Sequence, residues 1–217
     1  TIVNRKSKIQ NSIGKICSLD THCSCDRELA IFVPGNYPCS MSFLRPTNSR
    51  RLIIFSRFPE PGRTKTRLIP ALGPEGAARL QYRLLAKLLR EASLVLPGKN
   101  VLISFQGGTK KGMKALFGEK WSYCLQGQGD LGEKMLLAIR TALERGAPQA
   151  LLCGSDCPGL TAAIIEKGFE LLASRDLVLG PARDGGYYLI GAGRHLDLEQ
   201  LKPLFQDIDW GTDRVLA

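Results

Sequence analysis

The chain has 217 residues, of which 44% are hydrophobic and 23% are charged, and its formal net charge at pH 7 is +10. This composition is that of an ordinary globular protein with enough apolar residues for a core. No apolar run approaches the ~20 residues of a membrane span and no signal peptide is visible, so the sequence predicts a cytoplasmic protein.

The first 49 residues show no sustained helical or strand period, and they mix Asn, Ser, Lys, Cys and Pro. We therefore expect residues 1–49 to be an irregular N-terminal extension and residues 50–217 to form one domain. Met41 is the first methionine, so residues 1–40 are either a native tail or an upstream extension. Because they have few periodic apolar residues to bury, we expect residues 1–40 to be dispensable for ligand binding.

From residue 51 onward, strands alternate with helices. The predicted elements are a strand at 52–55, a helix at 74–96, strands at 101–105 and 121–125, a helix at 130–145, a strand at 150–153, a helix at 161–173, and strands at 176–180 and 187–190. This alternation predicts an α/β domain with a mostly parallel central sheet and helices on both faces. Ligands bind at the carboxyl ends of such strands, so functional residues are expected in the loops after residues 55, 153 and 180.

The loop after the first strand is basic. It carries Arg57, Arg63, Lys65 and Arg67, together with two prolines and Gly62. A diphosphate needs cations and free backbone N–H groups, and a strand end followed by a helix provides both. The spacing is not that of a Walker A loop. We interpret these five residues as a nucleotide-binding loop, and a solvated basic turn is the alternative.

The charge is unevenly distributed along the domain. Residues 51–140 carry 16 Lys and Arg against 6 Asp and Glu, whereas residues 141–217 carry 7 against 11. A basic phosphate loop followed by carboxylates for a metal ion gives this asymmetry. A non-catalytic nucleotide-binding or nucleic-acid-binding protein is the weaker alternative, because no aromatic stacking surface accompanies the basic stretch.

A second glycine-rich segment spans residues 127–132 and has the G-x-G-x-x-G spacing of a dinucleotide-binding loop. Asp156 follows near the position of a ribose-binding acid. Against this interpretation, Asp130 would place a negative charge against the pyrophosphate, and the preceding strand is not the first of the domain. Capping of the next helix by Asp130, with Glu133 at the capping-box position, explains the segment equally well.

Asp156 lies just after the strand at 150–153, in the sequence Gly154-Ser155-Asp156-Cys157-Pro158. A carboxylate at the carboxyl end of a strand is placed to bind a hard cation, Mg²⁺ or Mn²⁺, that bridges phosphate oxygens. We therefore predict Asp156 as a metal ligand. The alternative is an Asp that caps the following helix.

Two further segments supply candidate active-site residues. Asp184 and Asp209 are the candidate catalytic carboxylates, and Asp209 is also a candidate second metal ligand. Gly185 and Gly186 allow a donor or acceptor molecule to lie against the backbone, and Tyr187 offers a ring beside it. The Asp-Gly sequence alone also fits a simple hairpin turn.

Together these motifs resemble a known bacterial family. They are F-S-R-F-P-E-P-G-R-T-K-T-R-L at 55–68, G-Q-G-D-L-G-E-K-M at 127–135, G-S-D-C-P at 154–158, L-G-P-A-R-D-G-G-Y-Y-L-I-G at 179–191 and D-I-D-W-G-T at 207–212. The family is described as radical-SAM/selenodomain-associated transferases, or arsenosugar-biosynthesis glycosyltransferases. The resemblance covers residues 51–217.

The resemblance implies a nucleotide-diphospho-sugar transferase (GT-A) fold, with Asp156 at the metal position and residues 57–67 at the nucleotide. It therefore implies a metal-dependent glycosyltransferase with a nucleotide-sugar donor and a small-molecule acceptor. Nucleotidyl transfer from a nucleoside triphosphate remains the alternative, because both reactions need the same cations and carboxylate. Relatives usually continue beyond residue 217, so part of the acceptor side is expected to be missing.

Overall fold

A mixed β-sheet forms the centre of the protein. The structure is a computed structural model and describes residues 16–18, 49–182 and 186–205. Its strands are β1 (Ile16–Ser18), β2 (Arg51–Arg57), β3 (Val101–Gln106), β4 (Ser122–Leu125), β5 (Gln149–Gly154), β6 (Leu177–Pro181) and β7 (Tyr187–Gly193). Their order is β1-β6-β7-β5-β2-β3-β4. All pairs are parallel except those of β7, which runs antiparallel to β5 and β6. The prediction of a mostly parallel sheet is confirmed.

Helices cover both faces of this sheet, as predicted. They are α1 (Ile69–Val95), α2 (Lys110–Phe117), α3 (Leu131–Glu144), α4 (Ala162–Leu171) and α5 (Leu198–Leu201), with 3₁₀ turns at Thr66–Leu68, Gly98–Asn100 and Lys202–Leu204. Successive side chains of β2 alternate between the faces. Ile53 packs in the core beside α3, whereas Leu52 and Ile54 pack in the core beside α1 and α4. None of the helices in the described part of the chain is both long and apolar enough to cross a membrane.

Helix α1 contains a kink that matches the predicted helix start. Gly73 has φ +68°, a backbone conformation that favours glycine, and Pro74 follows it. Proline suits the first turn of a helix because its missing N–H has no helical partner there. The predicted helix at 74–96 is therefore the long part of α1, and the turn at 69–72 precedes it.

Helix α2 was not predicted from the sequence. It has eight residues, is rich in lysine, and buries only Met113 fully. Its start is fixed locally, because the Thr109 hydroxyl accepts a hydrogen bond from the Gly112 N–H at 3.0 Å. Such a short helix with a single buried anchor leaves little periodic signal in a sequence.

The short strand β1 lies within the segment that was expected to be irregular. It pairs parallel with β6, and Ile16 to Ser18 lie opposite Leu177 to Leu179. These three residues differ from the prediction because β6 offers the backbone groups of an otherwise open sheet edge. The other predictions for residues 1–48 fall outside the described residues, and the domain boundary at residue 50 stays a prediction.

Candidate functional site

A cavity of about 740 Å³ opens at the carboxyl edge of the sheet. Its walls come from the ends of β2, β3 and β5, the loop at 64–68 and residues just after β4. Its charged lining residues are Arg57, Lys65, Arg67 and Asp156. Open α/β sheets bind ligands at this edge, where the strand order changes direction. The structure therefore brings three of the predicted phosphate-binding cations together with the predicted metal ligand.

The basic loop is held in shape by its own backbone. The Glu60 carbonyl accepts hydrogen bonds from the N–H groups of Arg63 and Thr64, both at 3.1 Å, and the Leu68 N–H donates to the Lys65 carbonyl at 2.8 Å. Between these bonds, Lys65 has φ +47°, and it is the one non-glycine residue in the described ranges with a positive φ. This conformation costs an L-residue roughly 1–2 kcal/mol. Such strain is often found at functional sites.

Lys65 forms an ion pair with Asp156. The Lys65 Nζ lies 2.9 Å from Asp156 Oδ1, and the lysine side chain is only 13% exposed whereas the aspartate side chain is 69% exposed. The Ser155 hydroxyl donates to the same Oδ1 at 3.3 Å. One carboxylate oxygen is therefore shared by two donors, while the carboxylate as a whole remains open to solvent.

A buried amide connects the two strand ends that carry this pair. Gln81 of α1 is 2% exposed, and its Nε2 donates to Ser56 Oγ and to Ser155 Oγ, both at 3.0 Å. Because both amide protons are used, each serine must direct its own proton elsewhere. Ser56 donates to the Arg57 carbonyl at 3.2 Å, and Ser155 donates to Asp156. The network thus joins the end of β2 to the end of β5.

The other end of the cavity is uncharged. Gln106 ends β3, Gln126 follows β4, and Leu131, which begins α3 after β4, is 42% exposed there. The Gln126 Nε2 donates to the Ser104 carbonyl at 3.0 Å, which fixes the orientation of its amide. Neighbouring strands are about 4.8 Å apart, so the row from β5 to β4 spans about 14 Å. The cavity therefore suits an elongated ligand with an anionic end and a hydrogen-bonding, partly apolar end.

Sequence analysis missed Gln81, Gln106 and Gln126. Gln81 did leave a signal, because it occupies the helical face that also holds Ala77, Ala78 and Leu85, all of them buried. A polar residue on such an apolar stripe must find buried partners. Gln106 and Gln126 left no such signal, since only the parallel pairing of β3 with β2 and of β4 with β3 brings them to the same edge.

Two predicted nucleotide-binding residues do not line the cavity. Arg63 is 79% exposed and its guanidinium lies 3.7 Å from Glu60. Gly62 has φ +77° and supports the turn, with open space around the position of a Cβ atom. A contact of either residue with a nucleotide stays a prediction.

The predicted acceptor-side residues are only partly described. The Gly186 carbonyl accepts a hydrogen bond from the Ala182 N–H at 2.8 Å. Tyr187 packs against the core beside α3, and burial raises the pKa of its phenol. Neither residue lines the cavity. Asp184, Gly185 and Asp209 lie outside the described residues, so their roles stay predictions.

The described residues contain no cluster of three or more His, Cys, Asp or Glu side chains that could hold a metal ion. Asp156 is the one carboxylate among the described residues that line the cavity. Mg²⁺ is commonly held by one or two carboxylates, with the rest of its shell from waters and substrate phosphates. A single accessible carboxylate beside phosphate-binding cations fits that mode, and does not fit an all-protein metal cage.

The glycine-rich segment at 127–132 serves as a helix cap. The Asp130 carboxylate accepts from the Glu133 N–H at 2.8 Å, and the Glu133 carboxylate accepts from the Asp130 N–H at 2.9 Å. Gly129 has φ +104°, and a Cβ there would lie 2.3 Å from Glu133 Oε2. The capping box accounts for this glycine and for both acids, so the structure favours capping over a dinucleotide-binding loop.

The fold and the cavity define a protein of the nucleotide-diphospho-sugar transferase class of fold. The structure is similar to that of a protein from Desulfovibrio desulfuricans G20, provisionally described as a nucleotide-diphospho-sugar transferase, with 30% identity, a TM-score of 0.69, and coverage of 78% of this chain and 72% of that chain. It shares its fold with the 4-diphosphocytidyl-2C-methyl-D-erythritol synthase of Anaerococcus prevotii DSM 20548, at 12% identity and a TM-score of 0.50, over 78% of this chain and 82% of that one.

A family model also matches residues 89–212, and the chain belongs to that family, described as "Uncharacterized protein conserved in bacteria (DUF2064)". The matched range includes Asp156 and begins after the basic loop. No curated protein matches the chain.

Proposed function

We propose that the protein is a metal-dependent glycosyltransferase that uses a nucleotide-activated sugar. The proposal rests chiefly on one observation, the arrangement of Arg57, Lys65 and Arg67 around the same cavity as Asp156. The similarity to the Desulfovibrio protein, provisionally described as a nucleotide-diphospho-sugar transferase, supports a donor of that kind. The neutral end of the cavity provides a place for the nucleoside.

In this proposal the three cations act on the leaving group. Breaking the bond between the sugar and the diphosphate places negative charge on the diphosphate, and positive groups fixed beside it stabilise that charge. Arg57 and Arg67 can each bind phosphate oxygens in a bidentate manner, whereas Lys65 acts as a point charge. The sugar carbon becomes oxocarbenium-like as the bond breaks.

Asp156 would hold Mg²⁺ or Mn²⁺, which supplies additional positive charge to the diphosphate when bound. Ser155 and Gln81 support this carboxylate from the protein side. The predicted roles of Asp184 and Asp209 in catalysis, and of Gly185, Gly186 and Tyr187 in donor or acceptor contact, are part of the proposal. The resemblance to arsenosugar-biosynthesis enzymes supports a small-molecule acceptor.

The test is to incubate the purified protein with labelled nucleotide sugars and, separately, with nucleoside triphosphates, in Mg²⁺, Mn²⁺ or EDTA. We expect release of a nucleoside diphosphate from one nucleotide sugar, lost in EDTA and in the Asp156→Asn variant. Asp176→Asn, a change outside the cavity, is the matched control and should retain activity. Pyrophosphate release from a triphosphate without sugar transfer would establish nucleotidyl transfer instead. Binding to RNA or DNA that weakens steeply with salt, with no nucleotide-sugar binding, would establish a nucleic-acid binder.

A further inference from the structure

The three cations that line the cavity differ in what they contact. Lys65 is committed to Asp156 at 2.9 Å and is mostly buried. Arg57 and Arg67 form no ion pair with any residue that the structure describes. An incoming diphosphate therefore meets two available guanidinium groups and one ammonium group that already neutralises a carboxylate.

We propose that Lys65 is an exchangeable counter-ion that makes the site selective for a divalent cation bound together with a diphosphate. Without ligand, Lys65 neutralises Asp156 and discourages a free cation from binding there. When a diphosphate enters, Lys65 moves to its oxygens and leaves the carboxylate to the metal ion. This inference rests on the proposed function, because it assigns the order of events at the same site.

Electrostatics provides the first argument. A divalent ion on Asp156 would lie within a few ångströms of the Lys65 ammonium, since both bind the same carboxylate. Repulsion between charges at such a distance is substantial even in a hydrated site. Ser155 already donates to Asp156 Oδ1, so the oxygen that Lys65 contacts offers a free cation little additional capacity. The expected effect of Lys65 on the affinity for a free cation is about tenfold.

The chemistry of the exchanging groups provides the second argument. A lysine side chain is a flexible four-carbon stem with a compact charge, so it can move between two anionic partners without moving the backbone. The backbone of Lys65 is held in its left-handed conformation by the turn on either side, which keeps the ammonium group at the cavity. A diphosphate carries more negative charge than one carboxylate, so it is the stronger partner for this ammonium once bound.

A permanent structural ion pair is the competing explanation. In that case Lys65 would stay on Asp156 after a diphosphate binds, and the wild type would gain no more Mn²⁺ affinity from the diphosphate than Lys65→Met does. The two explanations therefore predict different effects of a nucleoside diphosphate on Mn²⁺ binding. A gain in the wild type no larger than that in Lys65→Met would overturn the inference, and it can be measured without knowing the sugar or the acceptor.

The experiment measures Mn²⁺ binding to the full chain without nucleotide, from the loss of the electron paramagnetic resonance signal of free Mn²⁺. We expect Lys65→Met to bind Mn²⁺ about tenfold more tightly than the wild type. Lys167→Met, which breaks an ion pair with Glu170 outside the cavity, is the matched control and should bind as the wild type does. Lys65→Gln serves as a second variant, and circular dichroism checks the folding of each.

A second arm adds Mn²⁺ with uridine, cytidine or guanosine diphosphate. The wild type should gain Mn²⁺ affinity with one of them, and Lys65→Met should gain less. Equal or weaker Mn²⁺ binding by folded Lys65 variants in the first arm would overturn the inference, as would Mn²⁺ binding that survives Asp156→Asn. Absence of binding to every nucleoside diphosphate would instead count against the proposed function, and the comparison of Lys65 variants would still stand.

Discussion

The buried side chain of Gln81 links the ends of β2 and β5 at the edge of the cavity. We expect Gln81→Leu to lower the free energy of unfolding by about 2 kcal/mol, because it leaves the Ser56 and Ser155 hydroxyls without their buried donor. Chemical denaturation measures this change. Gln200→Leu, at an exposed position on α5, is the control and should cost under about 0.5 kcal/mol. Equal stability of the two variants would show that water replaces the amide at no cost.

Tyr123 gives the protein a predictable loss of stability at alkaline pH. Its phenol is buried and donates to the Gly118 carbonyl at 2.6 Å, and burial, with a smaller effect of Glu119, raises its pKa from 10.0 to about 12. The unfolded chain therefore loses this proton first as the pH rises. The stabilisation is complete below pH 10 and is lost progressively between pH 10 and 12.

The corresponding measurement is the free energy of unfolding of the wild type and of Tyr123→Phe at pH 9 and pH 11. The advantage of the wild type over this variant should shrink by about 1 kcal/mol across that range. Tyr82→Phe, at a phenol that is 40% exposed, controls for the removal of a hydroxyl. A constant difference between the wild type and Tyr123→Phe would mean that the phenol titrates alike in both states.

Individual site residues were predictable where chemistry and strand position coincide. Asp156 follows the buried strand β5, whereas Arg57 ends β2 and Lys65 and Arg67 follow it. The meeting of these residues at one cavity therefore follows from the parallel pairing of β2 with β5. The exclusion of Arg63 was not predictable, because it depends on the backbone bonds of a single turn. The ion pair between Lys65 and Asp156 also depends on that turn.

At the scale of elements, helix α3 owes its start to a reciprocal cap that can be tested. Asp130→Ala should lower the free energy of unfolding by about 1 kcal/mol, because the Glu133 N–H loses its acceptor. Asp130→Ser keeps a capping oxygen and should retain most of the stability. Thermal or chemical denaturation distinguishes the two variants. Binding of NAD by Asp130→Ala but not by the wild type would instead support the interpretation of residues 127–132 as a dinucleotide-binding loop.

Predicted and observed elements agree where a long apolar face is buried and differ where structure depends on distant partners. The long part of α1 was predicted from its periodic leucines, and α3 was predicted from the capping residues Asp130 and Glu133. The periodicity of apolar residues does not indicate whether a strand is parallel or antiparallel. The antiparallel orientation of β7 depends on its pairing with β5 and β6. The strand β1 has only three residues, and its pairing with β6 joins segments far apart in the chain.

At the scale of the whole molecule, the sheet separates its functional edge from its far end. The cavity lies at the carboxyl ends of β5, β2 and β3 and just beyond β4, whereas β1 lies beyond β6 and β7. Three strand spacings, about 14 Å, separate β1 from β5. Changes at β1 should therefore leave the cavity intact while altering the exposed edge of the sheet.

Deletion of residues 1–48 tests this separation. We expect affinity for a nucleoside diphosphate with Mn²⁺ to stay within about twofold, since both Asp156 and the basic loop lie outside the deleted segment. Loss of β1 exposes the backbone groups of β6, so the shortened protein should self-associate more at high concentration, which sedimentation velocity measures. Cys17→Pro in the full chain is a matched variant, because proline in the middle of a three-residue strand disfavours its pairing without shortening the chain. It should reproduce part of the self-association and none of any binding defect. Loss of nucleotide binding on deletion, with Cys17→Pro unaffected, would show that the extension contributes to the site through residues other than β1.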